Sequence, residues 1–157
     1  MVERLRRLIP GLWLGLLLCI AGIAVPAVFA MLQRADADHA MGRILGRVFA
    51  VEAWTSLLLA LLVLAIERGR ARERADASEG SVLSAEMLLV LGTVFCTVAG
   101  YFAIHPLIAA ARAGQGVFSF GQLHAISSVF FVLKIVLLMV LTWRAAGPAP
   151  LSRRPSS

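Results

Sequence analysis

Four long apolar runs set the pattern of this chain, with short polar segments between them. They fall at about 8–32, 46–66, 82–104 and 122–143, the second with a helical lead-in from Gly42. A helix rises about 1.5 Å per residue, so each run is long enough to cross a hydrocarbon core of about 30 Å. The pattern predicts an all-α integral membrane four-helix bundle over residues 1–146. The remaining segment, 147–157, is rich in Pro, Ser and Arg and reads as a disordered tail. Trp13, near the start of the first run, is expected at the headgroup boundary, where amphipathic rings concentrate. Pro26 predicts a kink or a loosened turn. Pro106 falls just past the expected end of span three, and Gly114 and Gly116 are expected to stop any helix that resumes after it.

Composition supports the membrane reading. Hydrophobic residues make up 60% of the 157 positions and charged ones 15%, more apolar surface than a soluble domain this short can cover. The net charge of +6 would fit nucleic acid, but the arginines flank the apolar runs and have no interleaved aromatics, so no nucleic-acid partner is expected. Their distribution instead sets orientation. Arg4, Arg6, Arg7, Arg68, Arg70, Arg72, Arg74, Arg144, Arg153 and Arg154 lie on one side, and Arg34, Arg43, Arg47 and Arg112 on the other. Ten against four predicts a cytoplasmic N-terminus and a cytoplasmic C-terminus. Glu67, Glu73, Asp76 and Glu79 balance the Arg68–Arg74 stretch, which reads as a solvated helical extension. The first run is longer than the 7–15 apolar residues of a signal peptide, so it is expected to be a retained span. Arginine in place of lysine nearly everywhere points to a GC-rich bacterial genome and hence to the inner (plasma) membrane.

Small residues recur at helical spacing: Gly11 and Gly15; Gly42, Gly46 and Ala50; Gly92, Cys96 and Gly100. Such lines let backbones approach closely. Contacts inside one bundle are the first expectation, and a homo-oligomer through a glycine face is the alternative. Cys19 and Cys96 sit within apolar runs and imply no disulfide framework.

Charges inside a span cost about 2.5–3.5 kcal/mol each on insertion scales and so mark candidate sites. Lys134, the sole lysine, interrupts the apolar run of span four, and Glu86 enters span three from the same side. If the loop-connected spans three and four are neighbours, Glu86 and Lys134 form an intramembrane ion pair. A second, outer group comprises Arg43, Arg47, Glu52, Tyr101, His105, His124 and Ser127, suited to interhelical hydrogen bonding or to an anion, lipid headgroup or metal contact. His105 and His124 leave a metal or haem module as a further option, although no HxxxH-type spacing occurs, and no cofactor is assigned. No GxSxG, HExxH, P-loop or Rossmann fingerprint is present, so an enzyme is not expected.

Leu12-Trp13 with Gly15, Pro26, Phe29, the Gly42–Gly46–Phe49 stretch, Pro106, and Phe120-Gly121-Gln122-Leu123-His124 with Ser127 carry a resemblance. Together they resemble the transmembrane protein 205-like family, a domain of unknown function numbered 4149. The resemblance implies a four-helix membrane protein with no assigned biochemical activity. The chain departs from the family pattern at Ala125, where Gly is frequent, and at Phe131, where Asn is frequent. The leading expectation is a non-enzymatic multi-pass membrane protein whose ligand is unknown and whose partner is the lipid bilayer. A small transporter-like or ion-responsive protein built on the Glu/Lys pair is the alternative.

Overall fold

The computed structural model describes residues 2–31, 38–76 and 83–147. Its regular structure there is helical, with four helices long and apolar enough to cross a membrane: Val2–Met31, Ala40–Glu73, Ala85–Arg112 and Phe120–Ala146. Among the described residues there is no strand. The all-α membrane bundle expected from the hydropathy pattern is the fold. The 147–157 tail, apart from Gly147, lies outside the described residues.

Each helix runs beyond its apolar stretch. The second extends from Asp38 to Asp76, 39 residues. That is about 58 Å, nearly twice the hydrocarbon core, so the Arg68–Arg74 stretch continues the helix as the expected extension. Span three starts at the Ser84 N-cap, whose side chain accepts from the Met87 N–H. Span four starts at a capping box, in which Ser119 and Gln122 satisfy each other's free backbone donors. Between these two spans the chain turns through Gly114 (φ 71°) and Gly116 (φ 128°), left-handed positions that suit glycine. The Gln115 N–H closes the turn onto the Ala110 carbonyl at 2.9 Å.

Two helices widen locally ahead of a proline. Ile20–Ala24 is a π-turn just before Pro26, and Val98–Ala103 is a π-turn just before Pro106. A proline ring clashes with the carbonyl four residues back and donates no hydrogen bond to it, and a wider turn relieves both problems. Pro26 thus produces the loosened turn expected of it. Pro106 corrects the predicted end of span three. It lies inside the continuing helix Ile104–Arg112, so the span ends at Arg112 and not at Ile104.

Consecutive spans pack side by side, and span four closes against span one, giving a ring of four. Arg6 meets Glu67, Arg70 meets Glu3 and Arg144 meets Glu86, which gathers both chain ends at one end of the bundle. The core between the helices holds Trp13, Leu17, Ala60, Val63, Val90, Leu138 and Leu141. Large apolar side chains such as Leu12, Leu61, Phe95, Val129 and Met139 point outward, as lipid contact requires. In span three the glycine line serves packing within the bundle. A Cβ on Gly92 would touch Leu137, and one on Gly100 would come within 2.8 Å of the Phe130 Cβ, so span three lies close on span four. Gly11 faces Thr142, whereas Gly15 has nothing within 4 Å.

Candidate functional site

Midway along the bundle all four spans contribute a polar side chain to one buried cluster. Span four contributes Lys134, roughly 18 Å or more from either helix end, too deep for its stem to carry the ammonium to an interface. Span two contributes Glu52 and, one turn later on the same face, Ser56. Spans one and three contribute Trp13 and Thr97. All five residues are at most 3% exposed.

The hydrogen bonds join them into one network. The Lys134 ammonium donates to Glu52 Oε1 at 2.7 Å and, at 3.4 Å, to the Thr97 hydroxyl. Ser56 Oγ donates to the same Glu52 oxygen at 2.5 Å and accepts from the Trp13 indole N–H at 2.9 Å. Thr97 passes its own proton back to the Thr93 carbonyl at 2.9 Å, the usual local bond of a helical hydroxyl. The ammonium also lies 5.4 Å from the centre of the Phe131 ring, and Phe131 meets Phe49 edge-on. The Lys134–Glu52 contact therefore runs diagonally through the ring of helices, from span four to span two.

This geometry corrects the ion pair expected from sequence. Lys134 pairs with Glu52, and Glu86 pairs with Arg144 at 2.9 Å. Span three begins only at Ala85, so Glu86 sits in its first turn, and span four reaches Ala146, so Arg144 stands level with it. Lys134 is about 15 Å further along the axis, out of reach of Glu86. Glu52 correspondingly leaves the expected outer group for the centre. Trp13, expected at the headgroup boundary, is buried with its N–H consumed inside the bundle. Ser56, Thr93 and Thr97 were not among the expected site residues. The four-residue spacings Glu52–Ser56 and Thr93–Thr97 inside apolar runs were the signal that would have found them.

The rest of the outer group sits at the end of the bundle away from the chain termini. Tyr101 packs against His105 with ring centres 4.9 Å apart, and Phe120 stacks on His124 at 5.7 Å. The Arg112 guanidinium lies 4.7 Å from the centre of the same Phe120 ring. Ser127 donates to the Gly100 carbonyl at 2.9 Å, inside the π-turn of span three. Arg43, Arg47, His105, Arg112 and His124 are exposed in the bundle. Among the described residues no three His, Cys, Asp or Glu side chains come together as a metal site.

The sequence profile of a domain of unknown function, DUF4149, matches residues 8–116. The chain belongs to the DUF4149 family. The match spans the first three helices and includes Trp13, Glu52, Ser56 and Thr97 of the buried cluster. It bears out the family expected from Leu12-Trp13 and the Gly42–Phe49 stretch, while the transmembrane protein 205-like designation forms no part of the matched description. The Phe120–Ser127 stretch and Lys134 lie beyond the matched residues. No curated protein and no solved structure is significantly similar to the chain.

Proposed function

We propose that this DUF4149 protein is a non-enzymatic, multi-pass protein of the bacterial inner membrane, with both ends cytoplasmic, whose buried Glu52–Lys134 pair pins its four helices together. The observation that carries this reading is the burial of the pair and its ties to every span. Both charges are 3% exposed, and a hydroxyl or indole from every other span is joined to them. A transport site alternates between bound and open states and keeps polar groups free for its cargo, whereas these groups are used by one another. Ten arginines on the side of the chain termini support the orientation, since short basic loops stay cytoplasmic.

The ion-responsive alternative draws support from one observation. The chain has fourteen arginines and a single lysine, and that lysine is the one basic side chain placed at the centre, beside Glu52. One experiment separates the two readings. Full-length protein reconstituted in liposomes with an internal pH dye is expected to dissipate an imposed proton gradient no faster than protein-free liposomes. A proton flux that disappears in Lys134→Met would replace the pin with a conducting site. Orientation is tested by reporter fusions at Arg70 and at Gly116. The first should report cytoplasmic and the second external, and the reverse would overturn the assignment.

A further inference from the structure

At the end of the bundle away from the chain termini, spans two and three part around a groove of about 290 Å³. Its floor is glycine. Gly42 and Gly46 line it: a Cβ on Gly42 would overlap the Arg112 guanidinium, so the absent side chain is what lets Arg112 lie there, and one on Gly46 would be in ordinary contact, 3.9 Å from His105 Nε2. Arg43, Arg112 and His105 supply nitrogen donors, and Ile108 and Ala109 supply an apolar wall. Two of these three donors are held in place from outside the groove. Arg112 is braced against the Phe120 ring and reaches across to Gly42, and His105 is packed on Tyr101.

No carboxylate among the described residues pairs with Arg43, Arg47 or Arg112. At the other end Arg6, Arg7, Arg70 and Arg144 each have a glutamate partner, while Arg4, Arg68 and Arg72 have none among the described residues. Three arginines are thus left open at the end where the orientation bias calls for fewest cations. Guanidinium forks match the oxygens of a phosphate in both charge and geometry, and the His105 imidazole lines the same groove. An apolar wall beside them matches the carbon attached to a phosphodiester and not a bare, fully hydrated anion.

We propose that the Arg43–Arg112–His105 groove binds a phosphate group, with the phosphodiester of a membrane phospholipid as the ligand its apolar wall suits. The arginines hold the phosphoryl oxygens, and the missing side chain of Gly42 leaves Arg112 its place against span two. This site is separate from the Glu52–Lys134 pin, and neither depends on the other.

Native mass spectrometry of full-length, delipidated protein in mild detergent tests it with three probes: phosphatidylglycerol, diacylglycerol lacking the phosphate, and inorganic phosphate. Phosphatidylglycerol should fill one tight site, and diacylglycerol should not. Arg43→Gln with Arg112→Gln should weaken that site about tenfold or more, the worth of one or two charge-assisted hydrogen bonds. Gly42→Leu should weaken it as much while leaving every charge in place. Displacement of the lipid by inorganic phosphate would assign the site to phosphate itself, and failure to displace it would assign the site to the lipid phosphodiester. The proposal is overturned if Gly42→Leu binds like the parent protein, because attraction of any phosphate to surface arginines would then account for the result. It is also overturned if diacylglycerol binds as well as phosphatidylglycerol. Should Gly42→Leu fail to fold, Arg43→Gln alone decides, since Arg43 is exposed and no ion pair among the described residues depends on it. Unchanged binding in that variant refutes the site.

Discussion

Replacing Lys134 by Met removes one half of the central pin. The ammonium stands 2.7 Å from Glu52 Oε1. With an effective dielectric of about 20, an attraction at that distance is about 6 kcal/mol. Desolvating each ion costs several kcal/mol, so the intact pair is close to break-even. The single variant is not. It leaves the Glu52 carboxylate buried with Ser56 as its one donor among the described residues, and orphaning a buried charge costs about 3–5 kcal/mol. For a chain of this size each kcal/mol moves the melting temperature by about 2–4 °C, so Lys134→Met and Glu52→Leu should each melt about 6–20 °C lower. The double variant should recover most of that loss. Both charges are then gone, and Ser56 can turn its hydroxyl to the residue 52 carbonyl one turn back while still accepting from Trp13.

The chain supplies its own probe for this measurement. Cys96 is buried near the pin and Cys19 is exposed, so a Cys19→Ala background leaves one thiol that a maleimide dye reaches only when the bundle opens. Melting curves of the four proteins form a double-mutant cycle, and the coupling between positions 52 and 134 should be about 3 kcal/mol or more. Additive losses in the double variant, or singles that melt within about 2 °C of the parent, would show that the pair does not pin the bundle.

The same dye assay checks four further expectations. Glu86→Gln should cost under about 1 kcal/mol, because its partner Arg144 is half exposed and surface ion pairs contribute little; a loss matching that of Glu52→Leu would contradict the depth assigned to each. Gly100→Ala should lower the melting point by the equivalent of about 1–3 kcal/mol, since the new methyl would press on the Phe130 Cβ, which is fixed to the backbone. Gly15→Ala, with open space around it, should change nothing. Thr142→Val should raise the melting point by about 2–4 °C, because the Thr142 hydroxyl is buried without a hydrogen-bond partner among the described residues and its removal relieves about 1 kcal/mol; a lowered melting point would mean that the hydroxyl is bonded.

The number of helices and their membrane character were legible in the sequence because lipid imposes a length and an apolarity that single runs must meet on their own. The family was legible from small residues and prolines that mark close backbone approach. What failed was the pairing of charges, for a reason visible at three residues. Glu86 and Lys134 were matched because spans three and four are joined by a short loop, yet a ring of four helices brings residues together across its centre as well as around its rim. Span two faces span four there, and only the axial level decides whether Glu52 or Glu86 meets Lys134. That level depends on where each helix begins and ends. Charged ends such as Arg144 continue the helix past the apolar run, and a π-turn lets Pro106 sit within a span it was expected to follow. An error of three residues at a helix end moves a side chain by about 4.5 Å, more than the whole reach of a hydrogen bond. Trp13 was misplaced on different grounds. An indole near the start of an apolar run reads as an interface anchor, but six helical residues precede the run, and they push Trp13 to the depth where Ser56 and Glu52 wait. Hydropathy locates the oily part of a helix. The helix itself sets the depth of every polar atom, and with it which charges can meet.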